Sequence, residues 1–192
     1  MTLRNIICAV ALMASTVAFA ALKAGDAAPE FSATASLAGK PFTYSLQDSL
    51  AKGPVVVYFY PSAYTQGCNI QAHEFSTQAD QFAAAGASVI GVSLDSIERL
   101  DEFSADPDYC AGRLAVASDG DGRIARSFGL RVSGVQRGAT DTRGKAIDHG
   151  FTERTTFVVR RDGTVFAAVG GVSPEENVAR ALELVRTLST AR

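Results

Sequence analysis

Pro54-Val55-Val56-Val57-Tyr58-Phe59-Tyr60-Pro61 is a run of β-branched and aromatic residues closed at both ends by proline. Consecutive apolar side chains leave no polar face, so the run reads as a strand buried on both sides. Pro61 ends it, and beyond it the period changes. Ala72, Phe75, Ala79 and Phe82 recur at helical spacing, which predicts a helix over about residues 66–85 that Gly86 stops. A buried strand feeding a helix is the repeating unit of an α/β domain.

The alternation continues downstream. Ala87–Ser93 reads as a second buried strand, and Asp95–Ser104 as a helix with Ile97, Leu100 and Phe103 on one face. Leu114–Ala117 is a short strand, Asp119-Gly120 a turn and Arg123–Phe128 a short helix. Thr155–Arg160 and Thr164–Val169 flank Arg161-Asp162-Gly163, a hairpin signature. Ser173 caps a last helix with Pro174 at its first position, and Val178, Ala181, Leu182, Val185 and Leu188 face inward. A βαβα half followed by a ββα half, after an N-terminal extension, is the element order of a thioredoxin-like fold. The expected architecture is therefore α/β, with a mixed central β-sheet flanked by helices. Arg131–Glu153 is the irregular exception, polar and long enough to be a mobile or functional loop.

Composition narrows the class. The chain has 192 residues, 47% hydrophobic and 20% charged, which excludes disorder and a collagen-like chain. A net charge of −2 carries no basic surplus for nucleic acid. The one long apolar run, Ile6–Ala20, follows Arg4 and ends on Ala18-Phe19-Ala20, the order of a secretory signal peptide cleaved after Ala20. A membrane span needs about 20 apolar residues, and this run is shorter. Cys8 lies inside it without the usual lipoprotein pattern. Cleavage leaves residues 21–192 as a single domain in the periplasm or outside the cell, free of the membrane. Its cysteines are then Cys68 and Cys110, an even pair in a compartment where a disulfide persists.

Chemistry concentrates in Pro61-Ser62-Ala63-Tyr64-Thr65-Gln66-Gly67-Cys68-Asn69-Ile70-Gln71. Cys68 falls where the buried strand gives way to the first turn of the helix. Unpaired backbone N–H groups and the positive end of the helix dipole converge there and favour a thiolate. Thr65, three residues earlier, faces the same small volume. Such a pair suits holding an O–O bond in line with a nucleophilic sulfur. His73 and His149 are the only histidines, and no cysteine pair or carboxylate cluster stands at zinc-ligand spacing. Asp119-Gly120-Asp121-Gly122 fails the calcium-loop pattern, because Arg123 and Ile124 occupy needed positions.

Pro61-x-x-x-Thr65-x-x-Cys68 resembles the P-x-x-x-T-x-x-C motif of the peroxiredoxins, thiol-dependent peroxidases on a thioredoxin-like fold. The surrounding YFYPSAYTQGCNIQAHEF is most similar to the bacterioferritin-comigratory, or peroxiredoxin Q, branch. The likeness extends to Gly25-Asp26-x-Ala28-Pro29-x-Phe31, Val89–Ser93 and Arg154-Thr155-Thr156-Phe157, nearly the whole of residues 22–190. The resemblance implies roles. Cys68 is the peroxidatic cysteine that becomes a sulfenic acid, Thr65 hydrogen-bonds the peroxide, and Pro61 shields the sulfur from water. Arg154 stabilises thiolate and peroxide oxygens, with Gln71 orienting it. The substrate is hydrogen peroxide or an organic hydroperoxide, and the electrons come from a thioredoxin-like protein or a low-molecular-weight thiol. No metal, haem or flavin is implied, and a monomer and a homodimer are both open.

The chain departs from that branch at one place. Its members often carry a resolving cysteine five residues after the peroxidatic one, and here that position is His73. Cys110 is the remaining candidate to condense with the sulfenic acid, after unwinding of the first helix turns; an external thiol is the alternative. Two other functions compete. A thiol–disulfide oxidoreductase on the same fold needs Cys-x-x-Cys, where this chain has Gln71, and a proline before the later hairpin, where it has Arg154-Thr155-Thr156. A non-enzymatic binding or chaperone module would use the two cysteines only as a staple.

Overall fold

The structure is a computed structural model and describes residues 20–190. The segment read from sequence as a signal peptide, residues 1–20, lies outside the described residues, apart from Ala20. The helix-stopping and strand signals resolve into seven strands and six helices among those residues. The N-terminal extension folds as β1 (Ser32–Leu37), β2 (Lys40–Ser45) and α1 (Leu46–Leu50). Next come β3 (Val55–Phe59), α2 (Gln66–Thr77), α3 (Ala79–Ala84), β4 (Ser88–Ser93), α4 (Ile97–Ala105), β5 (Ala115–Ser118) and α5 (Arg123–Ser127). β6 (Thr155–Val159), β7 (Val165–Gly170) and α6 (Pro174–Thr190) complete the domain.

The strands form one sheet in the order β2-β1-β5-β4-β3-β6-β7. β3, β4 and β5 run parallel through the helical crossovers, and β1, β6 and β7 pair antiparallel, so the sheet is mixed as expected. The β1–β2 hairpin is additional to the expected strands. Its turn is Ala38-Gly39, both with positive φ (51° and 75°), the geometry of a tight hairpin turn without the Asn-Gly that would announce it.

The continuous apolar run of β3 is explained by two cores. Val56, Tyr58 and Tyr60 pack with Phe75, Phe103, Cys110 and Val178 on one face. Val55, Val57 and Phe59 pack with Leu46, Phe128 and Phe157 on the other. Alternate side chains of one strand thus serve opposite cores, which is why the run has no polar face.

The expected single helix over 66–85 is two helices with a break at Gln78. The cause is local. The Thr77 hydroxyl donates to the Glu74 carbonyl at 3.1 Å, and the Ser76 hydroxyl shares its proton between the His73 carbonyl at 2.9 Å and a carbonyl outside the helix. Side chains that bond back to the preceding turn compete with the helical ladder and bend it.

Register places the functional end of the sheet. β3 and β6 are antiparallel with Phe59 opposite Thr155, so Arg154 lies at the end where the chain leaves β3 for α2. β3 and β4 are parallel with Phe59 opposite Val92, which puts Asp95 at that same end. Carboxyl ends of parallel strands are where α/β sheets build sites.

Tyr58 faces Gly91 across this pair, and a Cβ at position 91 would come within 2.5 Å of the phenol ring. Gly91→Ala is therefore expected to cost about 1–3 kcal/mol in urea unfolding by overpacking. A loss within error of zero would show that Tyr58 has another place to go.

Candidate active site

After β3 the chain turns through Pro61, which is half-buried, into buried Ser62 and Ala63. Both are fastened to the fully buried Asp95 carboxylate. The Ala63 N–H donates to Oδ2 at 2.7 Å and the Ser62 hydroxyl to Oδ1 at 2.8 Å. Tyr64 then adopts φ +61°, a left-handed conformation that costs a residue with a side chain about 1–2 kcal/mol. Its surroundings hold it there. Thr142 donates to the Tyr64 carbonyl from its N–H at 2.9 Å and its hydroxyl at 2.8 Å, and the Arg143 guanidinium stacks 3.2 Å from the ring centroid.

Thr65 occupies the N-cap position of α2 but does not cap it with its side chain. Its hydroxyl donates instead to the Ser62 carbonyl at 2.8 Å, which commits its proton and leaves its lone pairs free. Cys68, third residue of α2, is only 1% exposed. Gly67 before it leaves space. A Cβ there would stand 3.1 Å from Arg154 Nη2 and 3.4 Å from Pro174.

Through that space Arg154 Nη2 reaches to 3.4 Å from the Cys68 sulfur. A chain of buried amides orients the guanidinium. The Val169 carbonyl can only accept, so it takes the Asn177 Nδ2 hydrogen at 3.0 Å and turns Asn177 Oδ1 toward its neighbours. That oxygen accepts from Gln71 Nε2 at 2.9 Å and from the Thr156 hydroxyl at 2.5 Å. Gln71 is thereby left with Oε1 facing outward, where it accepts from Arg154 Nη1. Each amide has one permitted orientation, set by a backbone carbonyl of β7.

The long loop expected at Arg131–Glu153 contains no helix or strand, only the isolated bridges Val132–Thr152 and Thr140–Ala146. It is nonetheless fixed to the Cys68 loop. Arg99 of α4 donates to the Ala63 carbonyl at 2.9 Å and pairs with Asp141 at 2.8 Å, and His149 Nε2 lies 2.9 Å from Asp95 Oδ1. Burial opposes charge on Asp95, but bonds from His149, Ala63 and Ser93 outweigh it and hold the carboxyl below its ordinary pKa. Burial also opposes charge on His149, and the Asp95 bond and charge outweigh it, raising the imidazole above 6.5.

Cys110 follows α4 in a turn and is completely buried; it and Cys68 are both free thiols. Burial, reinforced by Asp106, pushes the Cys110 thiol well up. Tyr58 lies beside both sulfurs: burial first, then proximity to Cys110 and Cys68, raises its phenol well above 10.0. The Cys110 turn is docked on α2, where the Ser76 hydroxyl donates to the Tyr109 carbonyl at 2.7 Å and His73 Nδ1 sits 3.0 Å from the Asp108 carbonyl. A cavity of about 570 Å³ lies elsewhere, lined by Leu130, Val132, Phe151 and Glu153 among others, and by none of the candidate residues.

The AhpC/TSA family pattern matches residues 24–168, three quarters of the chain. The chain belongs to this family. It is a peroxiredoxin, a thiol peroxidase. Among its relatives, peroxiredoxin Bcp of Escherichia coli is 32% identical over 144 residues, covering 75% of this chain and 83% of that protein. The crystal structure of peroxidoxin BcpB from Mycobacterium tuberculosis aligns with TM-score 0.72 and 28% identity, covering 87% of this chain and 98% of that one. Peroxiredoxin Q of Xanthomonas campestris aligns with TM-score 0.66 and 25% identity over 83% and 91% of the two chains.

Of the residues picked out by sequence, this peroxiredoxin brings Cys68, Arg154 and Gln71 into one contact chain, with Thr65 at the helix start and Pro61 at the strand end. Gln71, where an oxidoreductase would have its second cysteine, is buried and engaged in the amide chain. Asn177, Asp95 and His149 were missed as site residues. Asn177 did leave a signal, a polar residue beside Val178 and one turn before Ala181 on the inward stripe of α6. Asn177→Leu is expected to leave the Val169 carbonyl and Thr156 hydroxyl unpaired and to cost about 1–3 kcal/mol in urea unfolding. An unchanged midpoint would show that the amide chain is not structural.

Proposed function

We propose that Cys68 is the peroxidatic cysteine of this peroxidase and that the enzyme works outside the cytoplasm. The export reading rests on the signal-peptide pattern of residues 1–20. The observation that carries the chemistry is the Arg154 guanidinium held 3.4 Å from a nearly inaccessible sulfur by a one-way chain of buried amides. A fixed cation there stabilises negative charge on sulfur and on the departing oxygen without reorganising during the reaction.

The step is a displacement at oxygen. The Cys68 thiolate attacks the terminal oxygen of a hydroperoxide, and the S–O bond forms as the O–O bond breaks, with the terminal hydrogen staying on the sulfenic acid. The departing alkoxide or hydroxide takes from solvent the proton that the thiol gave up on ionising, leaving as alcohol or water. Cysteine sulfur is oxidised to sulfenic acid and the peroxide is reduced. Because the Thr65 proton is committed to the Ser62 carbonyl, Thr65 meets the substrate as an acceptor and takes the peroxide O–H. Arg154 meets it as a donor. The two opposite polarities orient the O–O axis along the line of attack. Half-buried Pro61 limits water at the sulfur.

The sulfenic acid then condenses with the Cys110 thiol, releasing water, and a thioredoxin-like or small thiol reduces the disulfide. With both thiols buried, this route requires the first turn of α2 to open. Consumption of hydrogen peroxide with dithiothreitol tests the first step. Cys68→Ser is expected to abolish it and Arg154→Ala to slow it about 100-fold or more. Persisting activity in Cys68→Ser would remove the assignment. Cys110→Ser is expected to leave the first oxidation rate unchanged while eliminating the intramolecular disulfide seen by mass spectrometry of peroxide-treated protein. Wild-type protein that yields only sulfenic acid or intermolecular adducts would assign resolution to an external thiol.

A further inference from the structure

We propose that His149 is a positioning residue for peroxide reduction, acting through Asp95 to hold the Ser62–Thr65 segment against the reacting sulfur. This rests on the peroxidase reading above. The connection is continuous. His149 Nε2 lies 2.9 Å from Asp95 Oδ1, the same oxygen accepts from Ser62 at 2.8 Å, and the Ser62 carbonyl accepts from the Thr65 hydroxyl at 2.8 Å. The other carboxylate oxygen is occupied by Ala63 N–H and the Ser93 hydroxyl, each at 2.7 Å. Asp95 therefore fixes the backbone that decides where Thr65 points.

The protonation state of the ring enters through its two partners. Nδ1 faces the Gly150 carbonyl at 2.7 Å and Nε2 faces the Asp95 carboxylate, and both oxygens can only accept. The doubly protonated ring satisfies both, and a neutral ring must abandon one. The groups around it bear on that state. Asp148 is its neighbour in the loop, Ser62 Oγ stands 3.5 Å from Nε2, and the Phe151 ring lies 6.1 Å away. Arg99 of α4 places Nε 2.9 Å from the shared Asp95 oxygen and pairs through Nη2 with Asp141. The folded protein raises the ring's pKa, so the charge-assisted pair with Asp95 is complete below about 6.5; as pH climbs through the raised value the ring loses its charge and must give up either its Asp95 or its Gly150 partner, which loosens the brace. A thiolate nucleophile gains population as pH rises, so a falling alkaline limb has the opposite sign to sulfur ionisation.

The test measures the second-order rate constant of the first oxidation by hydrogen peroxide, in competition with a haem peroxidase, between about pH 5.5 and 9.5. In parallel, ring-proton NMR gives the midpoint of His149, which shares the chain only with His73. The wild-type rate is expected to fall about tenfold through the NMR midpoint. His149→Gln keeps an N–H for Asp95 but does not titrate, and is expected to lose the alkaline fall while retaining much of the rate. The wild-type coincidence of midpoints is decisive by itself if that variant folds poorly. No alkaline fall, a fall at another midpoint, or the same fall in His149→Gln overturns the proposal. Wild-type protein inert to peroxide at every pH overturns the peroxidase reading first, and the proposal with it.

Discussion

A guanidinium beside a buried sulfur is the constraint around which this domain is arranged. Arg154 is half-buried, where a charge with unmet hydrogen bonds is expensive. Its position is tolerable because Gln71 accepts from one amino group and the sulfur receives the other. Gln71 in turn is buried and needs its own partner, which is Asn177, which needs Thr156 and the Val169 carbonyl. The polar chain therefore extends until it reaches a backbone group that closes it. A half-satisfied network would be worse than none, which accounts for an asparagine on the inward face of an otherwise amphipathic helix.

The opposite side of the sulfur is built by different means. There the backbone itself is shaped, with Tyr64 in a left-handed conformation and Ser62 and Ala63 tied to Asp95. Strain of this kind persists only where several contacts over-determine it. Thr142, Arg143 and Arg99 supply them from the long loop and from α4. The irregular segment is thus an outer brace for the loop that carries Thr65. Its polarity, which in sequence left a mobile or a functional loop open, includes the charges that fasten it.

Legibility in the sequence follows the range of the interactions. The two-core strand β3, the β4 and β6 strands and the capped last helix are encoded locally, by runs, periods and turn residues, and they emerge in place. Cys68 was readable from its place at a strand-to-helix junction, and Arg154 through the family resemblance. The β1–β2 hairpin was not, because Ala38-Gly39 is a weak turn signal and the apolar alternation of β1 rests on Ala33 and Ala35, small residues with little strand preference. Nor was the role of Asp95, whose partner His149 is 54 residues away, or of Asn177, 106 residues from Gln71. Such pairings exist only once the sheet register has been set. The helix break at Gln78 failed for a subtler reason: hydrophobic period sees Phe75 and Phe82 but not hydroxyls that compete for carbonyls.

The same contacts bear on how the two proposed redox thiols meet. The first turn of α2 is restrained at its start by Thr65 and Asn69, the latter donating to the Thr142 hydroxyl at 3.4 Å. Its later turns are restrained differently, by His73 and Ser76, which hold the turn that carries Cys110. The long bond to Thr142 is the weaker restraint, since hydrogen bonds near that limit contribute little. Opening is therefore partitioned along the helix. In the proposed route the segment bearing Cys68 is released by breaking its bond to Arg154, its core packing and its contacts with the loop, while the docked half keeps Cys110 in place. His73, which stands where related sequences often carry a second cysteine, takes part in that docking. In the proposed route the missing thiol is thus replaced by a tether to the turn that supplies another one.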